Sequence, residues 1–221
     1  MQMIPEQDRE FLKVKFAQEM HDAVTIIAFT RMPSNSFSPE CQFCIETEQL
    51  VEELAALSDK IKVEFHEYSP DNSLAEMLKI KRIPALVISK GGVNSIRFFG
   101  IPGGFEFGAF IEALVDMSKS STELSDTVRE KVRSVGKDVH IQVFVTPTCP
   151  YCPSAGRAAH QMAIENPGRI RADVVEAAEF PDLVDVYGIN AVPTIVINGR
   201  VQFEGVPSDE EFADRVMQAA A

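Results

Sequence analysis

The chain has 221 residues, 45% hydrophobic and 24% charged, an ordinary globular composition with room for two small domains. Its net charge of −12 is spread over both halves, with no basic stripe and no aromatic-plus-arginine platform, so nucleic acid is not an expected partner and anionic lipid is repelled. No apolar run approaches membrane-spanning length, and Met1-Gln-Met-Ile-Pro-Glu-Gln-Asp8 has no positive-then-apolar pattern, so no membrane partner and a cytoplasmic location are expected.

In chain order, a helical pattern over 8–20 leads into a β-branched, apolar strand at 24–30. Residues 30–40 form a loop that reaches Cys41, which opens a helix carrying Leu50, Val51, Leu54 and Leu57 on one face. A strand at 61–68, a short helix at 73–79 and a strand at 85–88 follow, the last beginning just after Pro84. Gly91-Gly92 marks a hairpin turn to a last strand, and a helix over 104–117 closes the series. At the polar junction Lys119-Ser-Ser-Thr122, Ser121 or Thr122 can cap the next helix, over 122–135.

The same order then recurs. Strands are expected at 139–145, 170–176 and 194–197, and helices from Cys149 and over 181–187 and 208–220. Asn198-Gly199 stands where Gly91-Gly92 stood. Ordered matches keep a nearly constant offset: Cys41 with Cys149, Pro84 with Pro193, Gly100 with Gly205. The chain thus reads as a duplicated α/β unit, residues 1–118 and 119–221, with a junction too short for a flexible linker. The two units are expected to pack together.

All four cysteines fall into Cys41-Gln-Phe-Cys44 and Cys149-Pro-Tyr-Cys152. Cysteines three apart in a first helical turn share a face. There, unpaired N–H groups and the positive end of the helix dipole favour thiolate, so the first cysteine becomes a nucleophile. It can attack a substrate disulfide, and its partner can resolve the mixed disulfide. Pro150 suits a first helical position. Two other readings exist: one zinc site of four thiolates, or inert buried thiols. Each pair belongs to its own repeat, which places the pairs apart and argues against shared zinc. The expectation is no metal and no cofactor beyond the cysteine pairs.

Pro84 and Pro193 each start an apolar strand, where proline removes a donor. They could be ordinary trans prolines on edge strands. Their recurrence in both repeats favours cis peptides that bring bare backbone at Ile83 and Val192 beside the cysteines, free to pair with a substrate segment.

Cys-Pro-Tyr-Cys followed by Val192-Pro-Thr-Ile-Val-Ile197 resembles glutaredoxins within the thioredoxin fold. The duplicated arrangement is similar to the glutaredoxin-like protein disulfide oxidoreductases of thermophilic archaea and bacteria. That resemblance implies two tandem thioredoxin-like folds, each a central mixed β-sheet flanked by helices. It implies reduction, oxidation and isomerisation of protein disulfides, with reducing equivalents from a thioredoxin-reductase-like flavoenzyme. Cys41 and Cys149 would be nucleophiles, Cys44 and Cys152 resolving cysteines, and Pro84 and Pro193 cis prolines. The buried strand aspartate of thioredoxins has no counterpart, since Val143 stands there. Glu67, Asp173 and Glu176 are candidates to move the resolving cysteine's proton, although a solvent-facing strand charge is the plainer expectation for each. Glu46, Glu48, Glu52 and Glu53 read as a solvated helix face, and the four histidines as surface or strand residues. Two further readings stay open: a carrier passing electrons from a flavoprotein reductase to a peroxiredoxin, and a binding module whose cysteines are incidental.

Overall fold

The computed structural model describes residues 2–31 and 41–221; most of the 30–40 loop lies outside that range. The first half runs α1 (Glu6–Glu19), β1 (Val24–Thr30), α2 (Cys44–Ala55), β2 (Ile61–Glu67), α3 (Ser73–Met77), β3 (Ala85–Lys90), β4 (Val93–Phe99) and α4 (Phe105–Lys119). The second runs α5 (Asp126–Arg133), β5 (Val139–Val145), α6 (Cys152–Glu165), β6 (Ile170–Glu176), α7 (Pro181–Tyr187), β7 (Thr194–Ile197), β8 (Arg200–Glu204) and α8 (Asp209–Ala219).

The strands form one eight-stranded sheet, in the order β2-β1-β3-β4-β6-β5-β7-β8. Within each half, the first two strands are parallel and the remainder antiparallel. The halves meet at β4 and β6, which pair in parallel with Arg97 opposite Asp173. These are two thioredoxin-like units whose half-sheets are fused edge to edge.

Strand side chains alternate between faces, and both faces are covered. Ile26, Ala28, Leu86, Ile88, Val143 and Val174 face a large core that runs through both halves. Phe16 of α1, Leu54 of α2, Phe110 and Leu114 of α4, Val132 of α5, Met162 of α6 and Phe212 of α8 pack into the same core. Ile27, Phe29, Val87, Phe99, Phe144 and Val175 face a smaller core, where α3 contributes Ala75 and Phe180 borders α7. The helix α4 crosses the seam and packs on α6 of the other half.

At the seam, Arg97 and Asp173 form a fully buried fork: Nε donates to Oδ1 at 2.7 Å and Nη2 to Oδ2 at 2.6 Å. His140 Nε2 approaches Oδ2 at 2.6 Å, and Arg97 Nη1 also donates to the Leu78 carbonyl at 2.6 Å. Burial alone would raise the Asp173 carboxyl; Arg97 and His140 outweigh it and hold the carboxyl well below the usual range. His160 donates to the Arg97 carbonyl at 3.1 Å, and its burial pushes its pKa down to about 4, so it is neutral.

Several expectations change here. Asp173 and Glu176 do not face solvent; the fused seam buries both, while Glu67 is exposed. His160 lies buried in a helix. The α5 cap is Ser125, whose hydroxyl accepts from Val128 N–H; Thr122 Oγ1 is drawn instead to Glu165, with Arg129 and Arg133. The α2 glutamates are not all solvated: Glu53 accepts from the Met3 and Ile4 amides and Arg9, and Glu48 accepts from Thr30.

Candidate active sites

The second pair sits where β5 gives way to α6. The helix begins at Cys152 rather than at Cys149, with Tyr151 as N-cap and Pro153, not Pro150, inside the first turn. Cys149 precedes a proline, which disfavours helical backbone there. At the first pair the helix likewise begins at the second cysteine; Phe43, with φ −120° and ψ 24°, lies outside the helical basin.

Each pair is closed into a disulfide, with Cα atoms 5.6 Å apart at Cys41–Cys44 and 5.5 Å at Cys149–Cys152. The leading cysteines are the more accessible: Cys41 is half-buried and Cys149 is 9% exposed, against 3% for Cys44 and none for Cys152. Cys152 N–H points at Cys149 Sγ from 3.2 Å. Once the pair is reduced, that donor at a helix N-terminus stabilises a thiolate on Cys149. At the first site, among the described residues, it is the buried sulfur, Cys44, that receives an amide, from Arg31 N–H at 3.4 Å.

The Ile83–Pro84 and Val192–Pro193 peptides are both cis. The Val192 carbonyl oxygen lies 3.8 Å from Cys149 Sγ. Ile83 and Cys41 border one cavity of about 720 Å³, walled from the other half by Glu179, Phe180 and Asp182. No group of three or more His, Cys, Asp or Glu among the described residues is arranged to hold a metal ion.

Sequence reasoning missed Glu106. It lies in the first turn of α4, is 1% exposed, and neither carboxylate oxygen has a hydrogen-bond partner among the described residues. Burial pushes its pKa up to about 7. It faces α6 at Gly156, where a Cβ would sit 3.8 Å from Oε2. Gly156 is one turn beyond Cys152 on the same helix face. Nothing near Cys149 in sequence announces this residue, because it arrives from the other repeat.

The first site borrows carboxylates in return. Glu179 accepts from Ile101 N–H at 2.7 Å, and Glu176 accepts from Glu179 N–H at 2.7 Å. Burial pushes Glu179 up to about 7, with Glu176 and Glu46 adding to the shift against the Ile101 bond. Two glycines permit these exchanges. Gly100, at φ +98°, leaves room for Glu179, whose Oε1 would be 2.6 Å from a Cβ there. Gly104, at φ +58°, lies so close to the loop before Cys149 that a Cβ would collide with the Pro147 carbonyl. Phe105 N–H donates to that carbonyl at 3.0 Å.

Comparison with known proteins agrees with this geometry. The thioredoxin domain family matches residues 139–216. A protein disulfide oxidoreductase from Aeropyrum pernix superposes with a TM-score of 0.87 at 32% identity, covering 98% of this chain and 93% of that one. A thioredoxin from Methanocaldococcus jannaschii is 41% identical over 78 residues, which is 35% of this chain and 92% of that protein. An alkyl hydroperoxide reductase protein from Xanthomonas campestris pv. phaseoli is 30% identical over 78% of this chain but only 31% of its own length. The chain thus spans about a third of the length of the curated relatives it matches most extensively.

Proposed function

The chain belongs to the tandem thioredoxin-fold protein disulfide oxidoreductases, and from that premise we propose that it catalyses thiol–disulfide exchange on protein substrates at two sites. The observation that carries this reading is the setting of the Cys149 sulfur, the less buried of its pair. It is held at a helix start by the Cys152 amide, beside the Val192 carbonyl.

In the reducing direction, a Cys149 or Cys41 thiolate attacks one sulfur of a substrate disulfide. The substrate S–S bond breaks, an enzyme–substrate disulfide forms, and the departing substrate thiolate takes a proton. Cys152 or Cys44 then loses its proton and attacks the enzyme sulfur. The reduced substrate leaves, and the disulfide seen in the structure forms. Two electrons have passed to the substrate; in reverse, a substrate dithiol is oxidised. Glu106, at pKa about 7 beside the α6 face, accepts the Cys152 proton, directly or through one water. The backbone at Ile83 and Val192, set by Pro84 and Pro193, receives the extended substrate segment.

Residues 1–118 and 119–221 act as two units, each with its own cysteine pair. Isomerisation uses both. A thioredoxin-reductase-like flavoenzyme supplies the electrons in a cytoplasmic setting, and the cysteine pairs are the redox groups. No helix among the described residues is long and apolar enough to cross a membrane.

A second reading is favoured by the likeness to alkyl hydroperoxide reductase: a carrier delivering electrons from a flavoprotein to a peroxiredoxin. Insulin-type reduction by the intact chain and its Cys→Ser variants tests the first reading. Turnover surviving replacement of all four cysteines refutes it, and turnover confined to a peroxiredoxin supports the carrier.

A further inference from the structure

The cavity beside Cys41 continues into a second of about 630 Å³ at the seam, the two sharing Tyr68, Pro70, Lys81 and Arg82. Lys79, Lys81, Arg82, Arg97 and Arg171 line the inner cavity together with His140, against two carboxylates among the described residues, Glu76 and Asp173. Asp173 is already engaged by Arg97 and His140. This concentration of cations lies in a chain of net charge −12.

Three of these cations stand apart. Lys79, Lys81 and Arg171 make no ion pair and no side-chain hydrogen bond among the described residues, whereas Arg82 is paired with Asp182 and Arg97 with Asp173. Arg171 Nε is buried and unsatisfied. Burial and then the adjacent Arg97 oppose its charge, against the weaker pull of Asp173 and Asp138, the first engaged by Arg97 and His140 and the second by Arg169. A buried cationic donor without an acceptor is costly, and an arriving anion relieves that cost.

We propose that this cleft is an extended binding groove for the first site that takes carboxylate-rich segments of substrate proteins, seating an acidic flank on Lys79, Lys81 and Arg171 while the disulfide lies at Cys41. The cavity is large enough for a few side chains. Its guanidinium and ammonium groups suit carboxylates. Elsewhere the acidic surface repels such a segment, so the groove also steers it. This rests on the thiol-exchange reading for its use but not for its test.

The test is fluorescence anisotropy with two short labelled peptides that lack cysteine, one glutamate-rich and one with glutamine in place of each glutamate, on the full chain at low ionic strength. The acidic peptide should bind about tenfold more tightly or better. The preference should vanish in Lys79→Gln/Lys81→Gln, at exposed positions, and separately in Arg171→Gln. Equal binding of the two peptides, or a preference unchanged in both variants, overturns the proposal. So does displacement of the acidic peptide by inorganic phosphate but not by chloride at equal ionic strength, which would assign the cleft to a small oxyanion. A kinetic arm uses the Cys149→Ser/Cys152→Ser chain and disulfide-bearing versions of both peptides. The acidic-to-neutral ratio of kcat/KM should exceed about ten and collapse toward one in Lys79→Gln/Lys81→Gln. If neither peptide is reduced, thiol exchange at the first site fails, while the binding arm still decides the groove.

Discussion

The two cysteine pairs share a spacing and a place in the fold, yet they are built for different access. At the second, the leading sulfur receives the Cys152 amide and lies in the large core with Cys152. At the first, the leading sulfur opens on a cavity of about 720 Å³, and the buried Cys44 sulfur receives the amide instead. The cysteine spacing is thus common to both repeats while the surroundings differ. We assign thiolate stabilisation chiefly to the second site and admission of a bulky partner to the first.

The largest effect that can break this comparison is removal of a nucleophile. Cys149→Ser should abolish most insulin-reductase turnover, and Cys41→Ser a smaller part. Equal losses would mean that the amide at Cys149 confers no advantage. Isomerase activity should require both sites, and a single-site variant with full isomerase activity would contradict that.

The seam supports both sites, so damage there should not discriminate between them. Asp173→Asn leaves Arg97 buried and half-paired, and should cost about 3–5 kcal/mol in chemical denaturation. Both sites should weaken together; loss confined to one would show that the sites are energetically separate.

Glu106→Gln sharpens the contrast. Resolution of a mixed disulfide by Cys152, followed by rapid quench, should slow about 100-fold. The wild-type rate should rise with pH through about 7, and the variant should lose that inflection. Glu179→Gln should leave the second-site profile unmoved. Stability shifts the opposite way. The folded Glu106 pKa lies above its ordinary value, so its destabilising contribution is absent below about pH 4.5, grows toward pH 7 and is level above. Glu106→Gln should therefore be more stable than wild type at pH 8, by about 1–3 kcal/mol. A residue kept only for packing would show no such exchange of stability for rate.

The smallest effect separates adjacent glycines. Gly104→Ala meets the Pro147 carbonyl at positive φ and should cost about 1–3 kcal/mol, with second-site turnover falling. Gly103→Ala enters open space and should leave thermal unfolding unchanged within about 0.5 kcal/mol.

Much of the architecture was legible because it is local. The strands at 24–30, 139–145 and 170–176 follow from short β-branched, apolar runs, and the helix at 181–187 from the proline that opens it. Both cysteine helices begin one turn late: at Cys149 the following proline disfavours helical backbone, and at the first site Phe43 lies outside the helical basin. What could not be read is whatever crosses between repeats. Asp173 looked like a solvent-facing strand charge because Arg97 lies on another strand in the other half. Glu106 sits in an ordinary amphipathic pattern, and its meaning comes only from Gly156 on α6.

The order of the strands has one more consequence. Joining the last strand of the first unit to the leading edge of the second is a head-to-tail contact, not a twofold one. It leaves β2 and β8 free, and these are the counterparts of the two strands already joined. A contact of this kind does not close on itself, so each molecule carries the geometric means to add another end to end. The side chains at the outer edges differ from those at the seam. Glu64 on β2 stands where Asp173 stands on β6, but on β8 the residue paired with Val196, as Arg97 is paired with Val87, is the neutral Val201. Lys62, Glu67, Arg200 and Glu204 keep these outer edges charged and hydrated. The buried arginine pair that braces the middle of the sheet is thus not repeated at either outer edge.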